Sequence, residues 1–249
     1  MTDHDTSTTQ TMPPPVNVGY AELAYRTPRG EFCRNLFIKA NDREAFLAGY
    51  RDHCDAGDEV YRSIALYPGP KRCDNHRWSS FVVDMDCEND LRTAQWASVQ
   101  LSEILASTWG IDPDILRWSF SGAKGFHCIV PGIVFGPAGS KQTAAFWKCL
   151  ARRFHDQYPQ VDLSIYRSSA LLRLNGSIHH KTGLYKVPLE YAELRDGSIE
   201  DILTLAKSPR EEDVWVAAET VPKAQRWLED AVEQFIKQSE QNKQCESAN

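Results

Sequence analysis

An apolar run ending in two spaced acids, Phe81-Val82-Val83-Asp84-Met85-Asp86, constrains this 249-residue chain more than any other stretch. A short run of β-branched and aromatic residues reads as a buried strand. Side chains alternate along a strand, so Asp84 and Asp86 leave on one face and Met85 on the other. Two carboxylates on a rigid strand end suit a hard divalent cation such as Mg2+, which takes oxygen ligands. Two solvated acids at a strand end give the same local pattern, so the pair has to be read with its neighbours.

Thirty-five residues after Asp86 comes Ser121-Gly122-Ala123-Lys124-Gly125-Phe126-His127, followed by the apolar Cys128-Ile129-Val130. Gly122 and Gly125 allow a tight turn and a close backbone approach to a ligand. Ser121, Lys124 and His127 would then face an anion. His127 opens an apolar run, so a core-facing strand histidine fits equally well. Val161-Asp162-Leu163 follows, and then Leu171-Leu172-Arg173-Leu174 leads into Asn175-Gly176-Ser177-Ile178-His179-His180-Lys181-Thr182-Gly183.

In this order the four elements resemble the archaeo-eukaryotic primase superfamily, most closely the small catalytic subunit of archaeal and eukaryotic primases. The matching pieces are the acidic pair Asp84 and Asp86, the Ser-Gly-x-x-Gly-x-His motif over 121–127, the hydrophobic-Asp at Asp162, and Arg173 leading into His179-His180-Lys181-Thr182-Gly183, closed by Val187-Pro188. Ordered co-occurrence over about 105 residues is far more specific than any one piece.

The resemblance implies an α/β (α+β) architecture of the primase type, an RRM-like catalytic sheet with a smaller N-terminal α/β lobe. It implies that Asp84, Asp86 and Asp162 hold two divalent ions, Mg2+ or Mn2+. By the same likeness Ser121, Gly122, Lys124, Gly125, His127, Arg173, His179 and Lys181 surround the triphosphate of an incoming nucleotide. The implied activity is DNA-directed nucleotidyl transfer from nucleoside triphosphates on a single-stranded DNA template, with release of pyrophosphate. Such chemistry rests on positioning and charge neutralisation rather than on a protein nucleophile. A large primase subunit, a helicase, or another replication or defence protein are the implied partner classes. The superfamily also includes gap-filling repair polymerases and plasmid, phage or defence primase-polymerases. A catalytically silent nucleic-acid-binding module and an unrelated metal-dependent phosphoesterase using His127 are the readings outside it.

The chain departs from the family pattern in two places. The two arginines often found inside the glycine loop are Ala123 and Lys124 here, which replaces one fork-shaped phosphate contact by a point charge and removes the other. The N-terminal Arg-Glu-Phe motif is matched only loosely by Arg29-Gly30-Glu31-Phe32, so Glu31 receives no role.

A net charge of −6 speaks against a general DNA-coating protein. Residues 117–186, however, hold ten Lys/Arg and two Asp/Glu, a local balance of +8, with −7 on either side. That distribution fits a focused polyanion site. Lys141, Lys148, Arg152 and Arg153 also fit the solvated face of a helix.

With 42% hydrophobic residues the chain can bury a sizeable core. No run approaches the roughly 18 apolar residues of a membrane span, and the N-terminus lacks a basic-then-apolar signal. A cytoplasmic location without membrane contact is expected. The seven cysteines are odd in number and unpaired in spacing, which suggests reduced thiols. Cys73-x-x-His76, with Cys54 and Cys87 nearby, lacks the tight four-ligand spacing of structural zinc, so zinc is not expected.

Residues 1–16, Thr-rich and closing on three prolines, read as a disordered lead-in. One catalytic domain is expected over 17–243, with an N-terminal lobe to about 75, a catalytic lobe over 76–190 and a helical part over 191–243. Helices are expected over 42–54, capped by Asn41 or Asp42, over 91–109 and over 140–158, and from Pro222 to a polar tail at Gln238. Short strands are expected over 117–121, 126–130 and 171–174. The stripe Trp227, Leu228, Ala231, Val232, Phe235 and Ile236 suits packing on its own domain, with partner docking as the alternative. Trp78, Trp118 and Tyr166 are candidates for stacking on single-stranded DNA by position only.

Overall fold

The computed structural model describes residues 19–73, 80–136, 143–211 and 217–247. The lead-in, His76, Trp78, Lys141 and the expected first residues of the 140–158 helix lie outside these. Two four-stranded antiparallel sheets form the frame. In the first, Tyr20–Arg26 (β1) pairs with Phe32–Lys39 (β2) on one side and Glu59–Ser63 (β3) on the other. Its helix, Arg43–Asp55 (α1), is capped by Asp42, whose carboxylate accepts from the Ala45 N–H. The strand expected over 171–174 forms as Leu171–Arg173 (β7) and pairs with β3, so a late segment completes the N-terminal sheet.

The second sheet contains Phe81–Asp86 (β4), Arg117–Phe120 (β5), Gly125–Val130 (β6) and Val187–Leu189 (β10), in the order β10-β5-β6-β4. Strand alternation sends Phe81, Val83, Met85, Phe126 and Cys128 into the core. Against them packs Leu91–Trp109 (α2), the helix read from the sequence, through Ala94, Ala97, Leu101 and Leu105. Asp90 caps its start, and Gly110 at φ 70° ends it in the left-handed conformation that glycine tolerates. Thr143–Gln157 (α3) and Pro222–Ser247 (α6) complete this layer, with Phe81, Trp109, Trp147 and Trp227 in ring contact at 4.4–6.1 Å.

Trp118 and Tyr166 belong to this core and not to a stacking surface. Trp118 is fully buried and donates to Ser102 Oγ at 3.0 Å, and the Tyr166 hydroxyl donates to the Val82 carbonyl. The α6 stripe likewise packs on its own domain through Trp227, Leu228 and Phe235. Among the described residues between β10 and α6 are two short helices, Tyr191–Asp196 (α4) and Ile199–Leu205 (α5). Ile178–His179 (β8) and Leu184–Tyr185 (β9) form a hairpin. No helix of the described residues is long and apolar enough to cross a membrane.

Candidate active site

The three aspartates come together because β4 is an edge strand. An exposed edge recruits extended backbone, here residues 160–162. Asp86 N–H donates to the Gln160 carbonyl at 2.7 Å, Asp162 N–H to the Asp84 carbonyl at 2.8 Å, and Met85 bridges Val161. Asp84 and Asp162 therefore face each other across a pair, and directly opposed residues share a sheet face. One ligand oxygen from each of Asp84, Asp86 and Asp162 lies within 4.8 Å of the others. Asp84 Oδ1 is buried without a hydrogen-bond donor. Three converging carboxylates with such an unsatisfied oxygen fit a hard divalent cation of the Mg2+ or Mn2+ kind.

On the neighbouring strand, His127 opposes Asp84 and Gly125 opposes Asp86. His127 Nε2 stands 3.3 Å from Asp84 Oδ1, at ion-pair distance but without hydrogen-bond geometry. Burial, then the charge of Lys186, pushes the His127 pKa below its ordinary value, so the imidazole is neutral at pH 7. Burial also penalises the Asp84 carboxylate, and the cationic neighbours outweigh that penalty and hold its pKa low. The facing His127 contributes most to this lowering, followed by Lys186 and Lys124.

Asp86 behaves differently. Burial and then the Asp84 charge push its pKa from 3.8 up to about 6, although Lys124 Nζ lies 3.2 Å from its Oδ2. A carboxyl with a raised folded-state pKa contributes stability below pH 3.8 that is lost as pH rises through about 6. Asp86→Asn should therefore stabilise the metal-free protein at pH 7.5 by on the order of 1–3 kcal/mol, at about 1.4 kcal/mol per pKa unit. The advantage should vanish near pH 4, where the wild-type carboxyl is itself protonated. Thermal melts at the two pH values check this, and a lower Tm for the variant at pH 7.5 would contradict it.

The second wall is built by the loop at 121–124 and the hairpin after it in space. Gly122 turns at φ 84°, and a Cβ there would press on the Leu184 carbonyl at 3.2 Å. Thr182 Oγ1 donates to the Gly122 carbonyl at 2.6 Å and clasps the two segments. Ser121 Oγ accepts from the Gly125 N–H at 3.3 Å. Arg173 reaches from β7 to donate to the Ser121 carbonyl at 3.1 Å, tying the first sheet to the second. His179 ends β8, and Lys181 is exposed in the turn beyond. Lys124 is directed toward Asp86 and Glu88, on the carboxylate side of the site.

Two site residues were missed in the sequence. Glu59, at the start of β3, is buried beneath this wall and accepts from the Tyr61 hydroxyl at 2.6 Å and the His180 N–H at 2.8 Å. It also lies 3.8 Å from Arg173 and 4.0 Å from His179 Nδ1, so it orients both. Burial would raise its pKa, but these donors and Arg173 hold it below the ordinary value. Lys186 is buried and donates to the Arg173 carbonyl at 2.7 Å. Its position just before Val187-Pro188 was the only sequence signal for it; Glu59 had none beyond an acid leading a strand.

No family description matches the sequence, and no curated protein matches it. Among solved structures, one of primase RepB′ is similar at a TM-score of 0.49 and 16% identity, over 93% of this chain and 64% of that one. A second structure, the catalytic domain of primase RepB′ in complex with initiator DNA, is similar at a TM-score of 0.49 and 15% identity, over 91% and 90% of the two chains. The chain thus spans less than two thirds of the first of these. These two structures are both of primase RepB′, and neither is of the archaeal or eukaryotic small subunit.

Proposed function

We propose that this chain is a template-directed nucleotidyltransferase of the primase-polymerase type, which makes or extends primers on single-stranded DNA from nucleoside triphosphates. The observation that supports it most is the convergence of Asp84, Asp86 and Asp162 within 4.8 Å, facing a wall that carries Arg173, His179 and Lys186. Divalent ions held by the three carboxylates would activate a primer 3′-hydroxyl and neutralise the pyrophosphate leaving group. The chain's own groups position the nucleotide. Arg173 offers a planar guanidinium to phosphate oxygens, and Gly122 brings backbone close without a side chain in the way. Glu59 keeps Arg173 and His179 in place.

Nucleotide incorporation with Mg2+ or Mn2+ on primed and on primerless circular single-stranded DNA tests the reading. Products on the primerless circle assign de novo priming, and products on the primed template alone assign extension. A folded protein that incorporates nothing on either, yet hydrolyses phosphodiesters without nucleotide, would replace it by the phosphoesterase reading. His127→Ala and Arg173→Lys should chiefly raise the nucleotide KM, by about 10- to 100-fold for a lost charge-assisted contact. Unchanged KM in both would remove their phosphate-gripping role.

A further inference from the structure

A cleft of about 630 Å³ opens beside the first sheet, lined by Asn35, Phe37, Lys71, Arg72, Ser168 and Ser169 among others. We infer that it holds the sugar–phosphate backbone of the single-stranded DNA template, a step that rests on the polymerase reading above. None of its described lining residues is acidic. The carboxylate beneath it, Glu22, is fully buried and binds Arg34 through two hydrogen bonds of 2.9 and 2.7 Å. Glu22 also accepts from the Asn35 N–H at 3.0 Å and lies 3.9 Å from Arg72 Nε. Arg72 donates in turn to Asn35 Oδ1 at 3.1 Å.

This is a built arrangement. Asn35 is the one non-glycine residue at positive φ, 75°, among the described residues. Such a conformation persists only where its surroundings over-determine it, and here a buried carboxylate does so while aiming two guanidiniums. Lys71 and Arg72 line the cleft, while the Glu22 charge behind it is matched by its two hydrogen bonds from Arg34, which leaves the cleft net positive. Ser168, Ser169 and Phe37 complete the lining, two polar residues and one aromatic.

Position selects the occupant. Ser169 lies two residues before β7 and Arg173 ends that strand, so the two stand within about 14 Å even at full extension. A template strand that pairs with a nucleotide gripped at Arg173 would run past this cleft, where its backbone phosphates can meet Lys71 and Arg72.

The test is fluorescence anisotropy of labelled oligo-deoxythymidine, without nucleotide, over a range of salt concentrations. Wild type should bind. Lys71→Ala and Arg72→Ala should each weaken binding by about 3- to 10-fold and flatten the salt dependence by about 0.7 in log–log slope per lost phosphate contact. Arg72 touches Glu22, so the exposed Lys71 is the arm in which the fold is not at stake. Unchanged affinity and slope in Lys71→Ala and in folded Arg72→Ala would overturn the inference. So would a loss confined to the nucleotide KM, which would make the cleft a nucleotide site. Lys71-dependent DNA binding by a protein that incorporates no nucleotide would end the polymerase reading and still support the cleft.

Discussion

Asp162→Asn should abolish nucleotide incorporation and leave the fold in place. The Asp162 side chain accepts from Ser164 N–H and Oγ, both at 2.7 Å, in a short cap at the surface. Asn keeps an oxygen for the Ser164 N–H, and surface substitutions of this kind cost within about 1 kcal/mol. The backbone pairing of 160–162 with β4 does not involve the side chain. What disappears is one of the three negative charges that could hold a divalent ion, and with it the cation expected to neutralise the phosphates. Electrostatic groups aimed at developing charge are each worth about 10²- to 10³-fold in kcat, and loss of a direct ligand should reach at least the upper figure. Single-turnover incorporation beside a thermal melt checks both halves. Activity within tenfold of wild type would detach Asp162 from the chemistry.

Gly125→Ala should be strongly destabilising. Gly125 opposes Asp86 at the end of the β4–β6 ladder. A Cβ there would overlap the Met85 carbonyl and come 2.6 Å from Asp86 Oδ1. The obstructing atom is backbone, so no side chain can swing away. Overpacking against fixed structure costs about 3 kcal/mol or more, a fall in Tm of about 10 °C for a chain of this size. Gly69→Ala, with no atom within 4 Å of the added carbon, is the matched control and should be near neutral. A Gly125→Ala protein melting with wild type would mean that β4 and β6 do not pair in this register.

The parts legible in the sequence were those written in local periodicity. The acidic strand, α2 over its full span and the cap at Asp42 follow from alternation, helical spacing and cap chemistry. Convergence of Asp162 with Asp84 followed only from the order of motifs, because pairing to a strand edge is a long-range event that leaves no local trace. The same reason hid β7's place in the first sheet. The helix at the C-terminus outran its expected end because polarity was read as a stop. Glu240, Gln241, Lys243, Gln244 and Glu246 beyond Gln238 are nonetheless good helix formers, and Glu233 and Lys237 pair at 2.6 Å just before them. α5 did carry a signal, the box of Ser198 and Asp201, that hydrophobic spacing over seven residues could not reveal. Glu59 and Lys186 were invisible because their importance lies in what they touch.

The most direct measurement is calorimetric titration of Mn2+ into the wild-type protein and into Asp84→Asn and Asp162→Asn, at pH 7.5 with a non-hydrolysable nucleotide present. Wild type should bind the ion, and each variant should bind it at least tenfold more weakly. Equal Mn2+ affinity in all three folded proteins would show that these carboxylates do not share an ion.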